Sequence, residues 1–204
     1  MVTVDGRSLI EKIEQASRDY TATLTPFPLP ELTRLAALVE AIAQRMWQAG
    51  EPAVKAHQAR CHRLPLITTS APMVRLEAAV FALWMARDDA HIAAWRAEGL
   101  SGPELDLLSH VWMEKAQAVP ELTIVLQQTQ HPEEILQGIT ALSEVGYLRV
   151  EGERIILTEA GRQVRTHIEE ETDRIYFAPW LPLTPEDLDW LYSSLKLVCD
   201  TLSA

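Results

Sequence analysis

Arg87, Asp88, Asp89 and His91 set a cation, two carboxylates and an imidazole side by side at the end of an apolar stretch. On a helix, Asp88 and His91 stand at i, i+3 and can share a proton or a small polar ligand. The favoured alternative is architectural: Asp88 or Asp89 caps a new helix and Arg87 pairs with it. If the chain has a small-molecule pocket, Arg87, Asp89 and His91 are its polar candidates. His57 and Cys61 stand one helical turn apart, with His62 following, which is the spacing of a metal or haem ligand pair. Two ligands do not close a structural zinc site, and no C-x-x-C partner exists, so a half-buried thiol beside surface imidazoles is the favoured reading. Trp47, Trp84, Trp95 and Trp112 recur in helical stretches. They are expected in the core, with Trp84 and Trp112 as candidates to line an apolar cavity. Glu169, Glu170 and Glu171 distribute like charge around a helix and read as a solvated face. No Gly-rich phosphate loop, H-E-x-x-H or G-x-S-x-G occurs, so no enzyme activity, cofactor or metal is expected.

The elements that must carry these residues are mostly helices punctuated by proline. Leu9, Ile10, Ile13 and Ala16 recur at helical spacing until Pro26, Pro28 and Pro30 intervene. Leu32, Leu35, Leu38, Val39, Ile42 and Met46 follow i, i+3, i+4, i+7, and Gly50 with Pro52 closes that helix. Residues 53–63 form a shorter helix that stops before Leu64 and Pro65. Residues 76–86 are apolar on nearly all sides, the pattern of a central buried helix. Ser101 with Glu104 is a capping-box start for a helix over 102–117. Pro120 and Pro132 begin two short helices, 120–129 and 132–145, and Gly146 ends the second.

The period changes at Tyr147. Residues 147–150 and 154–157 are β-prone runs on either side of Glu151, Gly152 and Glu153, a small hairpin. Thr158 caps a helix to about Tyr176, Pro179 and Pro182 interrupt it, and Thr184 opens a last helix with Leu188, Leu191, Leu195 and Val198 in one stripe.

The 204 residues, 48% hydrophobic and 23% charged, exclude a disordered tail, a collagen-like repeat and a disulfide scaffold. The longest apolar run, 78–86, is far short of the ~20 residues that span a bilayer, so no membrane partner is expected. Two distant cysteines fit the reduced thiols of a cytoplasmic protein. Of the net charge of -11, residues 120–204 hold 15 acids against 6 bases. A broad phosphate-binding face there is disfavoured, because such faces depend on Lys and Arg.

Helix, short helix, two-stranded hairpin, helix is the order of a winged helix-turn-helix, in which the helix before the hairpin lies in the major groove. The candidate recognition helix is 132–145, with Leu136, Ile139 and Leu142 inward and Glu133, Gln137, Thr140 and Glu144 outward. Gln137 and Thr140 are its base-reading candidates, and Arg149 and Arg154 its phosphate contacts, with Arg162 and Arg165 the other nearby cations. Glu151 and Glu153 make the hairpin turn acidic where a reading wing is usually basic.

The segment ALSEVGYL over 141–148, followed by LTEAGR over 157–162, resembles the end of the recognition helix and the post-wing signature of MarR-type winged-helix regulators. RDDAHIAAW over 87–95, EGLSGPEL over 98–105 and IEEETDR over 168–174 with APW over 178–180 are similar to one branch, the SalK-like helix-turn-helix proteins. The resemblance covers about residues 75–202 and implies a mainly α, dimeric protein with a winged helix near its C-terminus. The expected architecture is an N-terminal helical bundle, 1–118, and a C-terminal MarR-like winged helix-turn-helix with a two-stranded wing, 119–204. The leading expectation is a homodimeric regulator of double-stranded DNA, controlled by a small apolar ligand in the helical part. The alternative is a ligand-binding or protein-interaction module whose acidic winged helix is structural.

Overall fold

A computed structural model describes residues 4–63 and 71–203. The helix stop expected at Leu64 and Pro65 lies outside the described residues, as does the side chain of His62. The described residues are mainly helical with one two-stranded antiparallel sheet, and contacts divide the chain into two compact units. One comprises residues 1–89 and 176–204, the other 90–175, so the division does not fall at 118/119.

In the first unit, α1 spans Val4–Thr23, α2 Leu29–Gln48 and α3 Ala56–Arg63. The first part of α4 (Pro72–Ala97), the last residues of α8 (Glu159–Phe177) and α9 (Pro185–Leu202) complete it. The stripe read in α2 is its core face: Leu32, Leu35, Val39, Ile42 and Met46 are buried. They pack with Met73, Leu76, Ala79, Leu83 and Ala86 of α4 and with Leu191 and Val198 of α9. Each buried Leu, Ile, Val or Met among them contributes roughly 1.5–3 kcal/mol by leaving water.

Three expectations for these helices are corrected. The stretch 76–86 is not buried on all sides, because Val80, Phe81 and Trp84 are exposed. Asp88 and Asp89 do not cap a new helix, since α4 runs unbroken for 26 residues through both. In α9, Leu188 is exposed while Leu191 and Val198 are buried, so the stripe turns away from the core at its first residue. The helical spacing read in Leu9, Ile10, Ile13 and Ala16 is met by α1, in which Leu9, Ile10 and Ile13 are exposed and Thr21 is the one buried side chain among those described.

In the second unit the last residues of α4 are followed by α5 (Gly102–Trp112), α6 (Val119–Leu126), α7 (Pro132–Glu144), β1 (Leu148–Glu151), β2 (Arg154–Leu157) and most of α8. Ser101 and Glu104 form the expected capping box. Yet α5 ends at Trp112 rather than near 117, and Glu114 takes the left-handed φ of 58° that no helix continues through. The residues so released pair with the sheet: Ile155 N donates to Gln117 O at 2.8 Å and Val119 N to Glu153 O at 3.0 Å. β1 and β2 pair from Leu148↔Leu157 to Glu151↔Arg154, leaving a two-residue turn whose Gly152 has φ 64°. The core gathers Leu107 and Leu108 of α5, Leu122 and Leu126 of α6, Ile135, Ile139 and Leu142 of α7, Leu148 and Ile155 of the ribbon, and Ile168 of α8.

Candidate nucleic-acid interface

α7 is held from beneath. Ile135, Gly138, Ile139 and Leu142 are its buried row, and Leu107 of α5 would touch a Cβ at Gly138 at 3.3 Å. The expectation that Leu136 faces inward is overturned: it is 52% exposed, and Ile135 takes the core position. The helical phase that contains Ile139 and Leu142 admits 135 or 136, and the side-chain-free Gly138 beside Leu107 settles it for 135.

The outward row of α7 therefore reads Glu133, Leu136, Gln137, Thr140 and Glu144, all exposed and none cationic. Thr140 Oγ1 donates to Leu136 O at 2.9 Å, which leaves its lone pairs outward. Before α7, Gln127, Gln128 and Thr129 are exposed in the turn from α6, and His131 N donates to Glu134 Oε2 at 2.8 Å, fixing the start of α7.

The ribbon follows directly. Leu142 O accepts from Tyr147 N at 2.8 Å, and Thr158 Oγ1 donates to Gly146 O at 2.7 Å and accepts from Gly161 N at 3.0 Å. A Cβ at Gly161 would lie 2.2 Å from Tyr147 O, so the start of α8 fits against β1 only because that residue has no side chain. Arg149, Arg154 and Arg162 are exposed, and Arg149 Nη2 lies 3.0 Å from Glu151 Oε1. Arg165 faces the interior instead. Its Nε donates to Ser109 Oγ at 2.9 Å, its Nη1 is 2.6 Å from Glu169, and its guanidinium lies 5.0 Å from the centre of the Trp112 ring.

The five residues expected to bind a ligand fall in two units: Trp84, Arg87 and Asp89 in the first, His91 and Trp112 in the second. Asp89 is buried at 3% exposure and caps α3. Its Oδ1 accepts from His57 N at 2.9 Å and lies 2.9 Å from His57 Nδ1, and its Oδ2 accepts from Gln58 N at 2.9 Å. The charge opposes the positive end of the α3 dipole. Lys55 does the converse for α2, donating to Met46 O at 2.9 Å and Trp47 O at 2.7 Å, and burial lowers its pKa. Thr172 Oγ1 donates to Ile168 O at 2.6 Å and so accepts from His91 Nδ1 at 3.0 Å, which puts the His91 proton on Nδ1. Trp112 lies against Arg165, and Trp84 is 64% exposed rather than in the core.

Cys61 is half-buried on α3, and burial pushes its thiol above the ordinary range, so it is poorly suited to act as a thiolate ligand or nucleophile. Among the described residues, no group of three or more His, Cys, Asp or Glu is placed to hold a metal ion. Sequence reading missed Leu136 and the exposed Ile124 and Val125 of α6 as surface residues, and it missed the pairing of Asp89 with His57.

Among the described residues, no helix is long and apolar enough to cross a membrane. No curated protein and no solved structure matches the chain. A family model does match, from residue 5 to residue 204, and by that match the chain belongs to the Helix-turn-helix family.

Proposed function

We propose that this protein is a MarR-like, SalK-like transcriptional regulator that binds double-stranded DNA as a homodimer. Membership of a helix-turn-helix family points, at the coarse level, to a DNA-binding regulator. The observation that carries the finer reading is the sequence of exposures from α7 into the ribbon. Gln137 and Thr140 stand outward on the helix, and Arg149 and Arg154 stand outward on the two strands that follow. In a winged helix-turn-helix these are the positions for base edges and flanking phosphates. Gln137 is suited to adenine, whose N6 and N7 match a side-chain amide. The reading assigns no catalytic step to the chain and sets it in the cytoplasm. Control by a small apolar ligand in the helical part remains part of it. Of Trp84, Arg87, Asp89, His91 and Trp112, only Trp84 is an exposed side chain.

A second reading has its own support. Glu133 and Glu144 flank the outward row of α7, Leu136 sits within it, and Ile124 and Val125 are exposed on α6. An apolar and acidic surface suits a protein partner better than phosphates. Selection of genomic fragments on the full chain, followed by fluorescence anisotropy at low salt, separates the two. The regulator reading expects a selected duplex whose preference is relaxed by Gln137→Ala and whose affinity falls in the Arg149→Glu, Arg154→Glu variant. Undetectable binding to every duplex, with the wild-type chain folded, rejects it.

A further inference from the structure

Most of the described side chains of α1 are exposed. Residues 7–17, 19 and 20 are exposed, and near the end of the helix the buried Thr21, followed by Leu24 and Phe27 against the core of its unit, anchors it. A helix of 20 residues containing Ser8, Ser17, Thr21 and Thr23 gains little from propensity, and isolated helices of this length are marginal in water. Its apolar residues are nevertheless ordered: Leu9, Ile13, Ala16 and Tyr20 are spaced 4, 3, 4, a coiled-coil seam, with Ile10 beside it. Leu9, Ile13 and Tyr20 are 59%, 61% and 68% exposed.

We propose that the occupant of this seam is α1 of a second copy of the chain, packed antiparallel. The sequence is complementary to itself about a point between Glu14 and Gln15. Antiparallel pairing sets Leu9 against Tyr20, an aliphatic side chain on an aromatic ring, and Ile13 against Ala16, large with small, each twice over by the two-fold axis. The flanking positions agree, since Lys12 and Asp19 occupy the same side of the seam and meet across the axis as two opposite-charge pairs. A parallel pairing would put Tyr20 on Tyr20, Ala16 on Ala16 and Lys12 beside Ser17. Opposed helix dipoles favour the antiparallel choice as well.

The inference rests on the homodimer part of the proposed reading but not on DNA contact, and its test contains no DNA. Sedimentation equilibrium of the full chain is expected to give a dimer. Ile13→Glu, which puts a carboxylate into the seam, should weaken it about tenfold or more while leaving unchanged the urea midpoint read below the dimer dissociation constant, because Ile13 is 61% exposed. Lys12→Asp and Asp19→Lys should each weaken it, and the double reversal should restore it. A monomeric wild type, a dimer indifferent to Ile13→Glu, or a double reversal no better than the single ones would each overturn the proposal. The Arg149→Glu, Arg154→Glu variant is expected to dimerise normally. A chain that dimerises through α1 and yet ignores every duplex refutes gene control alone.

Discussion

Asp89 shows how a side chain with catalytic credentials becomes structural. A buried carboxylate against an imidazole is the arrangement that orients a general base, but here both oxygens are also filled by the first amides of α3. Those amides have no partner within their own helix, and an unpaired buried group costs about 1–3 kcal/mol. Asp89→Ala is therefore expected to destabilise the fold by about 2–3 kcal/mol through lost charge-assisted hydrogen bonds. A shift in the urea midpoint at unchanged slope would report it. If Asp89 instead held a ligand, the variant would unfold near the wild-type midpoint and lose the ligand's stabilising effect.

Where helices begin was legible in the sequence, because a cap is a local event written in two or three residues. Ser101 with Glu104 and Thr184 with Asp187 fold as capping boxes. Which face a helix buries was less legible, since that depends on neighbours: Leu136, Leu188 and Trp84 are all apolar and all exposed. The link from Asp89 to His57, 32 residues apart, leaves no periodic trace at all. The cap of α9 makes a prediction about pH. Hydrogen bonds from the Thr184 backbone and hydroxyl hold the Asp187 carboxyl below its ordinary value. A depressed carboxylate stabilises the folded state above its unfolded pKa of about 3.9, and that contribution is lost as pH falls through the lower folded value. Protection factors at the Thr184 and Leu188 amides should fall in that acid window, and Asp187→Asn should remove that fall. A carboxyl titrating at the value of free aspartate would contradict this account.

Charge sets the limit on how this protein can hold DNA. The chain carries -11, and the segment from 120 to 204 holds 6 bases, of which Arg165 is buried against Ser109, Glu169 and Trp112. Arg149 stands 3.0 Å from Glu151, so part of its charge is already balanced. In the proposed reading, specific recognition then relies on fit between α7 and the bases more than on general attraction to phosphate. Counterion release makes that measurable, since each neutralised phosphate contributes about -0.9 to the slope of log K against log salt. In the proposed reading Arg149 and Arg154 of two copies reach about four phosphates, so the slope is expected to be no steeper than about -4. Arg149→Glu with Arg154→Glu should remove most of it, whereas Gln137→Ala should lower affinity for the selected duplex and leave the slope alone. A slope near -8 would mean that phosphates are gripped by cations elsewhere in the chain, and the ribbon would lose its assigned part in binding.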